Sequence, residues 1–376
     1  MAAGREESTR VRGTLDPLRI GDLEIRIPIL QGAMGVLVSD ANLVAAVSEA
    51  GAAGTFAAVG CGLALHYEDA FRDYAGVNAR TLRQQIREIR SRTSRPFGVN
   101  VMMALTDRWD LTRIASEEEV DFIVSGAGLP LDLPAHVPNP HIKLIPIVSA
   151  AVLIEKICRS WHKRHDRLPD AFVIESPLAG GHLGISWQRL EKPDALEEFQ
   201  LSNVIPKAVE MVRKWEEIKG GPIPIIAAGG VFDGSDIAKY LKMGASGVQL
   251  GTRFVCTREC QVSDEFKRAY VEATEDDIAV IHSPVGLPLR VIKNEFYERL
   301  MRGDAFRIRC PYHCLETCNP REAVFCIAEA LVAARNGDMV NGAVTCSANA
   351  YRIKEITTVP ELLDTLVRET LEHLEA

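Results

Sequence analysis

Between residues 27 and 254 the chain alternates short, nearly uninterrupted apolar runs with longer segments of mixed polarity. The apolar runs are IPILQGA (27–33), AGTFAA (53–58), FGVNVMM (97–103), DFIVSGA (121–127), KLIPIVS (143–149), AFVIESP (171–177), IPIIAAGG (223–230) and GVQLGTRF (247–254). Continuous rather than alternating apolar runs of this length predict parallel strands covered on both faces. The segments between them predict helices. DANLVAAVSEAG has Asp40 as N-cap and Gly51 as its stop; DGSDIAKYLKMGA starts at Asp233 or Ser235 and ends at Gly244. Eight strands in β/α alternation is the count of a closed (β/α)8 TIM barrel, with a doubly wound open sheet as the rival. The positions of the chemistry-bearing residues favour the barrel. Gly32-Ala33-Met34, Asn100, residues 125–128, Ser149, Gly180-Gly181-His182, Gly229-Gly230 and Gly251-Thr252 all stand at or just past the C-terminal ends of strands. They come from seven of the eight runs, and only a closed barrel gathers so many ends on one face.

After the eighth run the pattern changes. Residues 257–320 are charged and mixed, with turn signals such as SPVGLP, and predict an insertion between strand 8 and helix 8. REAVFCIAEALVAAR (321–335) predicts an amphipathic helix stopped at Gly337. The expected division is a barrel over 1–256, a site-covering insertion over 257–320, and C-terminal helices over 321–376 that complete the barrel.

Charge narrows the classes of partner. With 43 basic and 51 acidic residues the net charge is −8, so neither nucleic acid nor an anionic membrane surface is expected as a partner. The polar opening MAAGREESTRVRGT does not read as a secretory signal, and no run is long enough to span a bilayer. Nine cysteines without such a signal fit a reducing compartment, so a cytoplasmic protein is expected.

The stretch from 223 to 254 carries the strongest chemical signal. In barrels, the loops after strands 7 and 8 commonly hold a phosphate through backbone N–H groups, and glycine lets the backbone approach the anion. Gly229, Gly230, Gly251 and Thr252 occupy those loops. Tight turns alone are the competing explanation. In ESPLAGGHLG (175–184), His182 is the only histidine at a strand end, so it is the candidate general acid or base, against the plainer alternative of a satisfied turn histidine. Asn100 ends an apolar run, where its amide suits either the edge of a heterocycle or a structural hydrogen bond.

Together, IPILQGAMG, FGVNVMM, SGAGLP, LAGGHLG and IIAAGGVFDG…GASGVQLGTRF resemble, in that order, the nitronate monooxygenase (2-nitropropane dioxygenase-like) family, which also embraces the FMN-dependent enoyl-ACP reductases. The resemblance covers roughly residues 18 to 300 and implies FMN on a TIM barrel. It implies that Gly229, Gly230, Gly251 and Thr252 hold the FMN phosphate, with Ala228 at the end of the same strand. It also implies that Ala33, Met34, Asn100 and Gln249 surround the isoalloxazine and ribityl chain, that Gly180 and Gly181 let the loop approach the flavin, and that His182 is the active-site histidine. The implied reaction is oxidation of an alkyl nitronate by O2 to a carbonyl compound and nitrite. The alternative is enoyl-ACP or quinone reduction with NAD(P)H. In the first, His182 holds the nitronate oxygens if protonated, or takes the α-proton of a nitroalkane if neutral. The IMP dehydrogenases share a similar strand 7–8 stretch but need a cysteine after strand 6, and SPLAGGHLGIS has none. A homodimer is compatible with this reading.

CPYHCLETCNP places Cys310, Cys314 and Cys318 at four-residue spacing around His313. Zinc or an iron–sulfur cluster is one reading, although the spacing is not the usual C-x2-C. A short helix packing three thiols inward is the other, and no metal is assigned.

Overall fold

The computed structural model describes residues 14–192, 194–308 and 310–376, so the polar opening stretch lies outside the described residues. In chain order the strands are β1 (Leu18–Ile20), β2 (Leu23–Ile25), β3 (Ile29–Gln31), β4 (Gly54–Ala57), β5 (Phe97–Met102), β6 (Phe122–Gly126), β7 (Lys143–Val148), β8 (Phe172–Glu175), β9 (Gly181–His182), β10 (Ile225–Ala228), β11 (Gly247–Leu250), β12 (Ile278–His282) and β13 (Pro288–Ile292). Each of the eight apolar runs contains one parallel strand. Their neighbours follow the order β3, β11, β10, β8, β7, β6, β5, β4. Hydrogen bonds from Gln31 N to Ala53 O (2.9 Å) and from Ala53 N to Ile29 O (3.0 Å) join β3 to the edge of β4 and close the ring. The fold is a TIM barrel.

The barrel interior is filled by Leu30, Phe122, Val124, Ile145, Val173 and Ile226. Leu18, Ile20 and Ile25 of the β1–β2 hairpin join that cluster and plug the end opposite the site. Each fully buried side chain of this size contributes about 1.5–3 kcal/mol. The helix Ala41–Glu49 is capped by the Asp40 carboxylate, which accepts from Leu43 N, and the chain leaves it through Gly51 at φ +100°. The Asp233 carboxylate accepts from Ser235 N and Asp236 N at the start of Gly234–Lys242. Both caps stand where the sequence placed them. Among the described residues, no helix is long and apolar enough to cross a membrane.

Two later segments depart from expectation. CPYHCLETCNP is not helical. Pro311 and a left-handed His313 (φ +43°) break the turn. The chain instead pairs with the loop after β5, through Thr106 N to Cys314 O (3.2 Å), Glu316 N to Ala104 O (2.9 Å) and Thr106 Oγ1 to His313 O (2.8 Å). Among the described residues, no group of three or more His, Cys, Asp or Glu side chains is arranged to hold a metal ion. The second departure is the helix expected over 321–335, which begins only at Ile327. Asn319 folds the preceding residues into a turn, its carbonyl accepting from Glu322 N and Ala323 N and its side chain from Arg321 N. This helix supplies Ile327, Ala328 and Leu331 to the cavity described below. The helix Val359–Glu375 packs against Gly234–Lys242 and Ala41–Glu49 and fills the last place in the outer ring.

Candidate active site

The C-terminal ends of the barrel strands open into a cavity of about 330 Å3. It is lined by Ala33, Met34, Asn100, Gly180, Gly181, His182, Ala228, Gly229, Gly230, Gln249, Gly251 and Thr252, whereas Ser125, Gly128 and Ser149, also placed at strand ends by the sequence, do not line it. The volume lies in the range of small-molecule and cofactor pockets.

The floor is built from loops that brace one another. After β3, buried Gln31 donates to Ser39 Oγ (2.8 Å) and accepts from Thr55 N (3.1 Å), while Ser39 Oγ accepts from Met34 N (2.9 Å). This bracing holds Val36 and Leu37 at φ +49° and +60°, a left-handed conformation costly for a β-branched residue. The Gln249 side chain lies across Gly32, where an added Cβ would stand 3.2 Å from its Cγ.

The loop after β10 is shaped for close approach. Gly229 has φ +85°, and a Cβ there would meet Ser176 O at 2.9 Å and Ala179 N at 3.0 Å. Ser176 Oγ donates to Gly229 O (2.9 Å), and Asn349 Nδ2 donates to Gly230 O (3.1 Å). Among the described residues, the backbone N–H groups of Gly229, Gly230 and Gly251 find no acceptor. Arg253 and Arg352 both stand over the Phe232 ring, at 4.3 and 4.2 Å, and buried Arg253 Nε has no partner among the described residues. Free N–H groups in a lining that also holds Arg253 suit an anionic phosphate. Gly229→Ala is expected to cost about 1–2 kcal/mol from the left-handed backbone alone, as a thermal melt will show.

His182 is held by a part of the chain that sequence reasoning left as turns. The β12–β13 hairpin takes residues 181 and 182 as a third antiparallel strand, with Leu289 opposite His182 and Arg290 opposite Gly181. Ser283, in the hairpin turn, lies 2.7 Å from His182 Nε2 through its Oγ. Arg290 is buried and donates from Nη1 to Pro177 O (2.8 Å) and Ala179 O (2.5 Å), fixing the chain that leads into the glycines. Gly181 needs its left-handed φ of +74°, and a Cβ on Gly180 would press on the Cys346 backbone at 3.0 Å. Gly184 has neither constraint. Burial pushes the His182 imidazole from 6.5 down to about 4, so the ring is neutral near pH 7. Of the two roles open to His182 in the sequence, burial favours the one in which the ring is neutral.

Sequence reasoning also missed Glu175, the last residue of β8, whose side chain faces the cavity. A charged residue ending the run FVIE was a visible signal. Cys346 and Ser347 complete the wall, with Ser347 N donating to Thr252 Oγ1 (3.0 Å). The lining also has an apolar part that includes Tyr74, Phe266, Tyr270, Leu289, Ile327 and Leu331.

The description of the nitronate monooxygenase family matches residues 17–369, nearly the whole chain. The chain belongs to the nitronate monooxygenase family. Relatives within reach of this family member carry several activities. A (3aS,4S,5R,7aS)-5-hydroxy-7a-methyl-1-oxo-octahydro-1H-indene-4-carboxyl-CoA dehydrogenase of Mycobacterium tuberculosis is 29% identical, over 75% of this chain and 68% of its own. A probable nitronate monooxygenase of Staphylococcus aureus is 26% identical, over 74% and 78%. Among solved structures, FabK from Thermotoga maritima superposes with a TM-score of 0.69 at 28% identity, covering 93% of this chain and 94% of that one. The nitroalkane oxidase from Streptomyces ansochromogenes, at 23% identity and a TM-score of 0.70, shares the fold. Members of this family are oxidoreductases that act on small molecules, and the relatives differ in which molecule that is.

Proposed function

We propose that this family member is an FMN-dependent oxidoreductase that oxidises alkyl nitronates with O2 to a carbonyl compound and nitrite. The reading rests on one observation: backbone N–H donors without acceptors, a slot of small residues and a neutral histidine line a single cavity. The residues present fit FMN. Gly229, Gly230, Gly251 and Thr252 would hold its phosphate, next to Arg253. Ala33, Met34, Asn100, Gly180, Gly181, Ala228 and Gln249 would line its ring and ribityl chain. When bound, FMN supplies the two-electron chemistry that connects a carbon substrate to oxygen. The chain's own part is to orient the substrate and keep water out. Neutral His182 would offer a ring nitrogen to the nitronate oxygens while Ser283 holds Nε2. Its low proton affinity makes it a weak base toward a neutral nitroalkane, so the nitronate itself is the expected substrate.

A second reading has its own support. The apolar part of the lining suits a bulky hydrophobic acyl group, and one relative is named for a carboxyl-CoA substrate. On that reading the enzyme exchanges electrons between NAD(P)H and an enoyl thioester or quinone. Anaerobic mixing of the yellow protein with propyl-2-nitronate, and separately with NADH and NADPH, distinguishes the two. Bleaching by the nitronate, with nitrite released on aeration, is expected. Bleaching by a nicotinamide alone selects the second reading, and a colourless protein that takes up no FMN defeats both.

A further inference from the structure

Glu175 is a carboxyl group in an unusual place. It closes β8, in register with Ala228 of β10, so it lies directly beside the strand that leads into Gly229 and Gly230. It lines the cavity together with Val124, Ile147, Ala228 and Gln249, none of them charged. Among the described residues, no hydrogen-bond or ion-pair partner reaches its carboxyl. The titratable groups that share the cavity give it no counter-charge. His182 is neutral, and burial raises Tyr74 and Tyr270 and pushes Cys314 and Cys346 up to about 12, so all four stay protonated. The one cation in the lining, Arg253, is drawn toward Glu369 and Asp233 and leaves Glu175 unaffected. The ends of the flanking strands bring Ile147, Val148 and Ala228, which do not titrate. Burial alone acts on Glu175 and lifts it from 4.5 to about 7.

This arrangement bears on the cofactor assigned above and rests on that assignment. A phosphate-bearing flavin brings roughly −1.5 to −2 charges near neutrality, and on entering it displaces the water that solvates the carboxylate. Both effects favour the neutral acid. We propose that Glu175 takes up a proton when the cofactor binds and holds it in the loaded enzyme, so that the cavity presents a neutral carboxylic acid instead of a second anion. The same proton removes the charge that would repel an anionic nitronate. By linkage, binding is tight where Glu175 is already protonated and weakens as pH rises through its value in the empty protein.

FMN titrated into the full-length apoprotein between about pH 6 and about pH 8.5, followed by flavin fluorescence, tests this. For the wild type, the Kd is expected to rise up to tenfold for each pH unit above about 7. Glu175→Gln should remove that rise and bind at high pH as tightly as at low pH, while His182→Ala keeps the wild-type slope. A phosphate monoester's own second ionisation, near pH 6, is common to all three proteins, so the difference between the curves isolates Glu175. Equal slopes in wild type and Glu175→Gln overturn the proposal. Should the variant fail to fold, wild-type proton uptake on adding FMN in weakly buffered solution near pH 8 decides: about one proton supports the proposal, none overturns it. No FMN uptake by the wild type at any pH is a different outcome, and overturns the cofactor assignment together with this proposal.

Discussion

His182→Ala is expected to lower turnover with a nitronate by about 10²–10³-fold while FMN content and thermal midpoint stay near wild type. Ser283 is the imidazole's one hydrogen-bond partner among the described residues, so its removal leaves little unsatisfied. The residues proposed to hold the flavin phosphate are others, so flavin binding should survive. The pH profile provides a second check. Burial depresses His182 from 6.5 to about 4. A depressed histidine is neutral in the fold, so its contribution to stability is complete above 6.5 and falls as pH drops from 6.5 toward 4. The acid limb of kcat/KM should accordingly carry no inflection near 6.5 and should fall only as pH approaches 4. An acid-limb inflection at 6.5 that disappears in His182→Ala would show a water-exposed imidazole and defeat the neutral-donor role.

Most of the barrel could be read from local pattern because its strands are buried on both faces. FGVNVMM or KLIPIVS has little alternative but a covered parallel strand, and Asp40, Asp233 and Gly51 punctuate their helices through chemistry contained within a few residues. The glycines after β10 were visible for the same reason: a left-handed backbone at Gly229 is a local demand. What escaped was encoded at long range. Ser283 meets His182 across 101 residues, and Arg290 meets Pro177 across 113. Nothing in SPVGLPLRVI reveals that its strand will recruit GGH as a neighbour. The cysteine segment misled in the opposite direction. Four-residue spacing suggested a helix, but Pro311 and pairing with the loop after β5 took precedence over periodicity. Glu175 was legible as a residue type but not as a problem, because its lack of a counter-charge is a property of the whole cavity.

The pairing of the β12–β13 hairpin with residues 181 and 182 leads to the other large effect, at Arg290. Its guanidinium is buried, faces no carboxylate, and donates to two carbonyls of the loop that delivers Gly180, Gly181 and His182. Burial lowers its proton affinity, with only the thiol of Cys346 offsetting that. Arg290→Met keeps much of the volume but leaves Pro177 O and Ala179 O without a donor, and hydrogen bonds to charged groups contribute about 1.5–3 kcal/mol each. A loss of about 2–4 kcal/mol is expected by denaturant titration, the removal of a buried charge offsetting part of the total. The loop should then deliver His182 imprecisely, so kcat with a nitronate should fall by more than tenfold in the fraction that remains folded and flavin-loaded. Both bonds leave from a single nitrogen, Nη1, not from the two arms of the fork. A lysine has one nitrogen on a stem of similar reach, so Arg290→Lys should recover a substantial part of both stability and kcat where methionine recovers neither. Equal behaviour of the lysine and methionine variants would mean that Arg290 acts through its bulk, and that the two carbonyls do not depend on a donor to place the histidine.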